Sequence, residues 1–119
     1  MAQVTKRKLS GSTDGRGIKI AATATPGTLV HTAVTGTTAG TFDEIWLYVQ
    51  NNHTADVQIV VELGGVTVID DNIIVTIPFK SGRFLVLDGA ILQNGTVVRV
   101  YAGTTNVVVV TGFVNAITA

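Results

Sequence analysis

Apolar and polar residues alternate with a period of two along most of this chain, the spacing of half-buried strands. The alternation is sharpest over residues 41–50. There Ile45, Leu47 and Val49 form one row, and Glu44, Trp46, Tyr48 and Gln50 form the other. A polar loop and a second alternating run, 56–65, follow, so 41–65 is expected to form a hairpin. Two apolar faces on one strand exceed what a small core absorbs. The aromatic row is therefore expected to meet a partner. Two other readings fit the same pattern: the core lies on the Trp46 side, or both faces are internal.

Further strands are expected over 17–23, 28–34, 66–69, 73–77, 83–87, 96–102 and 106–117. Glycine and proline punctuate them. Pro26-Gly27, Gly64-Gly65 and Asp88-Gly89 mark turns, and Pro78 is expected to end its strand. Asn94-Gly95, set between Ile91-Leu92 and Val97-Val98, has the chemistry of a two-residue hairpin. These segments amount to about eight to nine strands, an antiparallel β-sandwich of jelly-roll or Greek-key type. Val107 to Val110 is apolar on both faces, so the last strand is expected at a central position or under a neighbour.

Composition supports an all-β class. Among 119 residues, 19 are Val and 18 are Thr, both β-branched and suited to pleated surfaces. The length suits one domain, expected over 18–119, after a basic arm over 1–17. The arm contains Ser10-Gly11-Ser12-Thr13-Asp14-Gly15-Arg16-Gly17. It is expected to be flexible, or extended and ordered only by contact. Cysteine is absent, which excludes disulfides and thiolate metal sites. No signal-peptide pattern or membrane-length apolar run is read, so synthesis in a cytoplasm is expected.

Net charge is zero but unevenly placed. The first 19 residues hold Lys6, Arg7, Lys8, Arg16 and Lys19 against Asp14 alone, and the remainder holds three cations against seven acids. A basic segment on an acidic body favours contact between copies or with an acidic partner. Interleaved aromatics are missing, so specific nucleic-acid readout is not expected.

Catalytic patterns are weak. Asp70-Asp71-Asn72 offers three oxygens, too few for a hard cation unless others converge, and it is common turn composition. His53 and Asp56 could form a base and its orienter, but no nucleophile is placed with them. His31, with Leu29 and Ala33 expected on its face, reads as a satisfied buried or interface histidine. An interfacial enzyme would draw on His31, His53, Asp70 and Asp71. The expectation is a non-enzyme with no cofactor and no metal. Trp46 and Tyr48, with Arg99 and Tyr101 on a later strand, alternate out of phase with apolar rows, and Trp, Tyr and Arg are enriched at interface hot spots. Together with Lys6, Arg7, Lys8 and Arg16 they form the expected partner-binding set.

The segments Lys8-Leu9-Ser10-Gly11, Thr28-Leu29-Val30-His31, Phe42-Asp43-Glu44-Ile45-Trp46 and Glu62-Leu63-Gly64-Gly65, in that order, resemble small structural proteins of tailed-bacteriophage virions. The resemblance implies a capsid decoration (cement) protein. Such a protein is a compact β-sandwich, commonly a homotrimer, that binds the major capsid protein on the outside of the shell and ties capsomers together. A receptor- or glycan-binding sandwich of a phage tail or fibre is the alternative, with Trp46 and Tyr48 stacking on sugar rings.

Overall fold

A computed structural model describes residues 2–119. Nine strands and no helix are present among them: β1 (Gln3–Lys8), β2 (Ile18–Lys19), β3 (Thr28–Thr32), β4 (Phe42–Asn51), β5 (Val57–Leu63), β6 (Asn72–Ile77), β7 (Phe84–Leu92), β8 (Val97–Ala102) and β9 (Val108–Thr118). They form two antiparallel sheets. One runs β1-β9-β4-β7, with β2 also pairing β9, and the other runs β3-β8-β5-β6.

The sheets pack face to face around a single apolar layer. Ile45, Leu47, Val49, Val108, Val110 and Val114 enter it from the first sheet, and Val57, Ile59, Val61, Val98 and Val100 from the second. All are nearly or fully inaccessible. Burying such a Val, Leu or Ile side chain contributes about 1.5–3 kcal/mol each before entropy is charged. This fixes the face of β4: Ile45, Leu47 and Val49 are core, and Trp46 and Tyr48 point outward.

Hairpin chemistry proved a poor guide to pairing. Strands β4 and β5 belong to different sheets, so 41–65 is an arch over the end of the sandwich and not a hairpin. The arch is pinned by the buried Asn51, whose Nδ2 donates to the carbonyls of Ala55 and Ile77 while its Oδ1 accepts from the His53 amide. Asn94-Gly95 also carries the chain from one sheet to the other, with Asn94 and Gly95 both at positive φ. The turn is present, but its flanking strands do not pair. Gly64 does begin a true connection, between β5 and β6, but the loop extends to Asp71. The expected strand over 66–69 is consumed by that loop. Asp88-Gly89 lies inside β7, where Gly89 at φ 100 serves a register shift rather than a turn. Strand β6 stops at Ile77, immediately before Pro78, and β9 is central, between β1 and β4, as its two apolar faces require.

The basic arm expected over 1–17 contains a strand of the first sheet. Residues Gln3 to Lys8 are extended and held by contact, here with β9 of the same chain in a register running from Gln3 opposite Thr118 to Lys8 opposite Phe113. Leu9 then turns into the core at 1 % exposure, and Ser12 is buried. The sandwich thus begins well before residue 18. Met1 lies outside the described residues.

Candidate assembly surface

The outer face of the five-stranded sheet is assembled by register. Trp46 on β4 sits opposite Phe113 on β9, and Phe113 sits opposite Lys8 on β1. The Trp46 and Phe113 rings stack with centroids 6.1 Å apart and planes 8° apart. Lys6 caps the ladder, its Nζ 4.3 Å from the Phe113 centroid. On the far side Gly89 borders Trp46, where a Cβ would meet the indole at 3.5 Å, an ordinary contact. Arg83 lies over Tyr48 at 4.1 Å, and its Nε donates to Thr111 Oγ1. Cations above ring faces gain from the ring quadrupole. At least one face of each of these rings is therefore occupied within the chain.

Glu44 anchors the ladder's polar edge. Its Oε1 accepts from Trp46 Nε1 at 2.9 Å and from Asn115 Nδ2 at 3.0 Å. The Trp46 donor first, and the Asn115 donor second, hold the Glu44 carboxyl below its ordinary value. Around this network Val4 (65 %), Leu85 (45 %) and Ile91 (57 %) lie open to solvent.

The expected partner-binding residues do not share one surface. Lys6, Trp46 and Tyr48 belong to the face just described. Arg99 and Tyr101 lie on β8, in the opposite sheet. There Arg99 Nη1 donates to the Gly27 carbonyl, and the residue pairs with Glu62 across β5–β8. Glu62 is buried beneath the 25–27 turn, accepting from Thr25 Oγ1 at 2.5 Å and from the Gly27 amide at 2.6 Å. Lys8 Nζ donates to the Ser12 carbonyl, and Arg16 is exposed in the loop that follows. Phe113, Asn115 and Arg83 are not marked as surface partners by the sequence, because they join the aromatic face through the β4–β9 register and a loop. The phase of Phe113 against Val110 and Val114 was the one signal available for it.

A concavity of about 560 Å³ opens between the sheets, lined by Arg7, Ser10, His31, Asp43, Val114 and Ala116 among others. His31 and Asp43 form its buried floor, with His31 Nε2 2.7 Å from Asp43 Oδ2. A bulge between Leu29 and His31 separates these two residues, leaving Leu29 exposed and His31 buried. The Ser10 amide donates to His31 Nδ1 at 3.0 Å. That nitrogen is therefore the acceptor, and the proton lies on Nε2, donated to Asp43. With both ring nitrogens engaged, His31 joins three segments of chain and has no free lone pair to offer a substrate.

The remaining acidic and histidine positions close local turns. Asp71 Oδ2 accepts from the Thr67 amide, and Asp56 Oδ1 from the Phe79 amide. No ion pair joins His53 to Asp56, and no cluster of three or more potential metal ligands occurs among the described residues. Among the described residues no helix is long and apolar enough to cross a membrane.

Fold and surface together define an all-β, two-sheet antiparallel sandwich with an aromatic outer face. Comparison with protein-family models, with curated proteins and with solved structures gives no match.

Proposed function

We propose that this chain is a structural assembly protein, acting as a homo-oligomeric decoration protein that docks on the outside of a phage shell through the outer face of its five-stranded sheet. The carrying observation is that face itself: a Lys6–Phe113–Trp46 ladder bordered by exposed Val4, Leu85 and Ile91. Exposed apolar residues gathered around aromatic anchors mark interaction surfaces more often than scattered ones. The strand order supports the same class. With β1 set aside, the orders β2-β9-β4-β7 and β3-β8-β5-β6, in which every connection from β2 onward except β5–β6 crosses between the sheets, support a jelly-roll reading, an architecture that recurs in viral capsid domains. Fold alone does not assign function, so the virion reading rests on the sequence resemblance and the surface together. Occupied ring faces at Trp46 and Tyr48 weigh against sugar stacking.

The test is cosedimentation of the purified chain with expanded shells that lack it, beside W46A and F113A. Saturable binding that both substitutions weaken is expected. Absence of binding to shells, or a hit on a glycan array abolished by W46A, overturns the proposal.

A further inference from the structure

Eight Lys and Arg residues face eight Asp and Glu residues in this chain, yet the one basic side chain within salt-bridge distance of a carboxylate among the described residues is the neutral His31, against Asp43. Among the described residues the lysines and arginines thus have no carboxylate at salt-bridge distance. The two edges of the five-stranded sheet divide the charges. Edge strand β1 carries Lys6, Arg7 and Lys8. Edge strand β7 carries no cation and has Asp88 exposed on the outer face, opposite Trp46 of β4.

We propose that β1 of one copy adds antiparallel to β7 of the next, joining successive copies head to tail through a continuous outer sheet. The proposal rests on the assembly reading above and names its subunit interface. The path β1-β9-β4-β7 contains four strands of alternating direction. A neighbouring β1 in the same orientation therefore meets β7 antiparallel. Side chains also match. The outward residues of β1 are Val4, Lys6 and Lys8. Those of β7 are Ile91, Asp88 and Leu85, kept level with Glu44, Trp46 and Tyr48 by two register shifts. Antiparallel pairing sets Val4 beside Ile91, Lys6 beside Asp88, and the aliphatic stem of Lys8 beside Leu85. Opposite charges across strands stabilise a pair and like charges destabilise it.

Charge also selects against the symmetric alternatives. Pairing β1 with β1 would oppose three cations with three, and a β7–β7 pair centred on Asp88 would oppose two carboxylates. Taken alone, the cations of β1 would guard an exposed edge. Asp88 turns that guard into selectivity. A heterologous contact of this kind generates a ring when its rotation closes.

The chain lacks cysteine, so disulfide trapping is direct. K6C and D88C are made singly, with V4C and I91C as a second pair that leaves the Lys6–Phe113 contact intact. Folding of each is checked by circular dichroism. On oxidation, each single variant is expected to stay at the 12.4 kDa of one chain on a denaturing gel. Mixtures of K6C with D88C, and of V4C with I91C, are expected to give a disulfide-linked dimer. Homodimers from a single variant, or V4C linking to D88C in preference to I91C, overturn the proposed arrangement. Light scattering separates the two levels. An oligomeric wild type with neither mixed product overturns the edge pairing and leaves the assembly reading standing, whereas a monomer at every concentration overturns both.

Discussion

His31 Nε2 donates to Asp43 Oδ2 across 2.7 Å in the interior, joining β3 of one sheet to β4 of the other. The pair ties the sheets together where the Ser10 amide also reaches His31. Replacing His31 with Ala strands the Asp43 carboxylate in a buried site, and a loss of about 3–5 kcal/mol is expected. D43N keeps an acceptor for Nε2–H and is expected to cost nearer about 1 kcal/mol. Urea unfolding followed by Trp46 fluorescence gives both values. Equal costs would show that the charge on Asp43 contributes nothing.

The N-terminal segment is integral to the fold. Removing residues 1–12 deletes β1, takes Leu9 out of the core and frees His31 Nδ1. The truncated chain is expected to lose cooperative unfolding near the wild-type midpoint. L9A alone is expected to cost about 3 kcal/mol, as deletion of a buried leucine side chain does. Scanning calorimetry decides: an unchanged midpoint after truncation would make the segment a detachable arm.

Gly112 is where β9 passes closest to β4. A Cβ built there would lie 2.0 Å from the Trp46 carbonyl oxygen, against backbone that cannot yield cheaply. G112A is therefore expected to destabilise by about 3 kcal/mol or more, within the range of overpacking and strain effects. Gly36 offers the control. It has φ 84 and open space around its Cβ position, so G36A carries conformational cost alone, about 1 kcal/mol. Similar midpoints for the two variants would contradict the crowding.

Glu44 sets an acid limit on the aromatic face. The Trp46 and Asn115 donors hold its folded-state pKa below the ordinary 4.5. A depressed carboxyl contributes stability that is fully present above 4.5 and is lost as pH falls through the lower, folded value. The gap in melting temperature between wild type and E44Q is therefore expected to shrink as pH drops from 6 toward 3. W46F removes the leading donor and is expected to move the Glu44 titration, followed by NMR, back toward 4.5. A titration unchanged by W46F would locate the cause elsewhere.

The alternation around Ile45, Leu47 and Val49 carried the strand, its two faces and the all-β class, because a strand's side chains alternate whatever it pairs with. The abundance of Val and Thr, the stop at Pro78 and the central place of the last strand were legible for the same local reason. Pairing was not. The 41–65 run and Asn94-Gly95 have hairpin chemistry, but that chemistry specifies only a reversal of direction. Whether the returning strand hydrogen-bonds its predecessor or crosses to the facing sheet depends on strands far along the chain. Strand β9 takes both flanks it can offer, β1 and β2 on one side and β4 on the other, and β5 is left to the second sheet.

The surface divides in the same way. Trp46 and Tyr48 could be named as one row of their strand from their phase, and Lys6 and Arg7 as part of a basic segment from composition. Sequence could not place Phe113 against Trp46, separate Arg99 and Tyr101 onto the opposite sheet, or bring Ser10, His31 and Asp43 to one point. Those relationships are set by register between distant strands, and register is fixed only when the core closes. Sequence by itself determined most of the strands, the alternation that gives each two distinct faces and the imbalance of charge, all properties of a few consecutive residues. Tertiary structure decided which faces share a surface, which edges stay open and why the basic segment belongs to the sheet, because each requires contacts between residues that only the packed sandwich brings within reach.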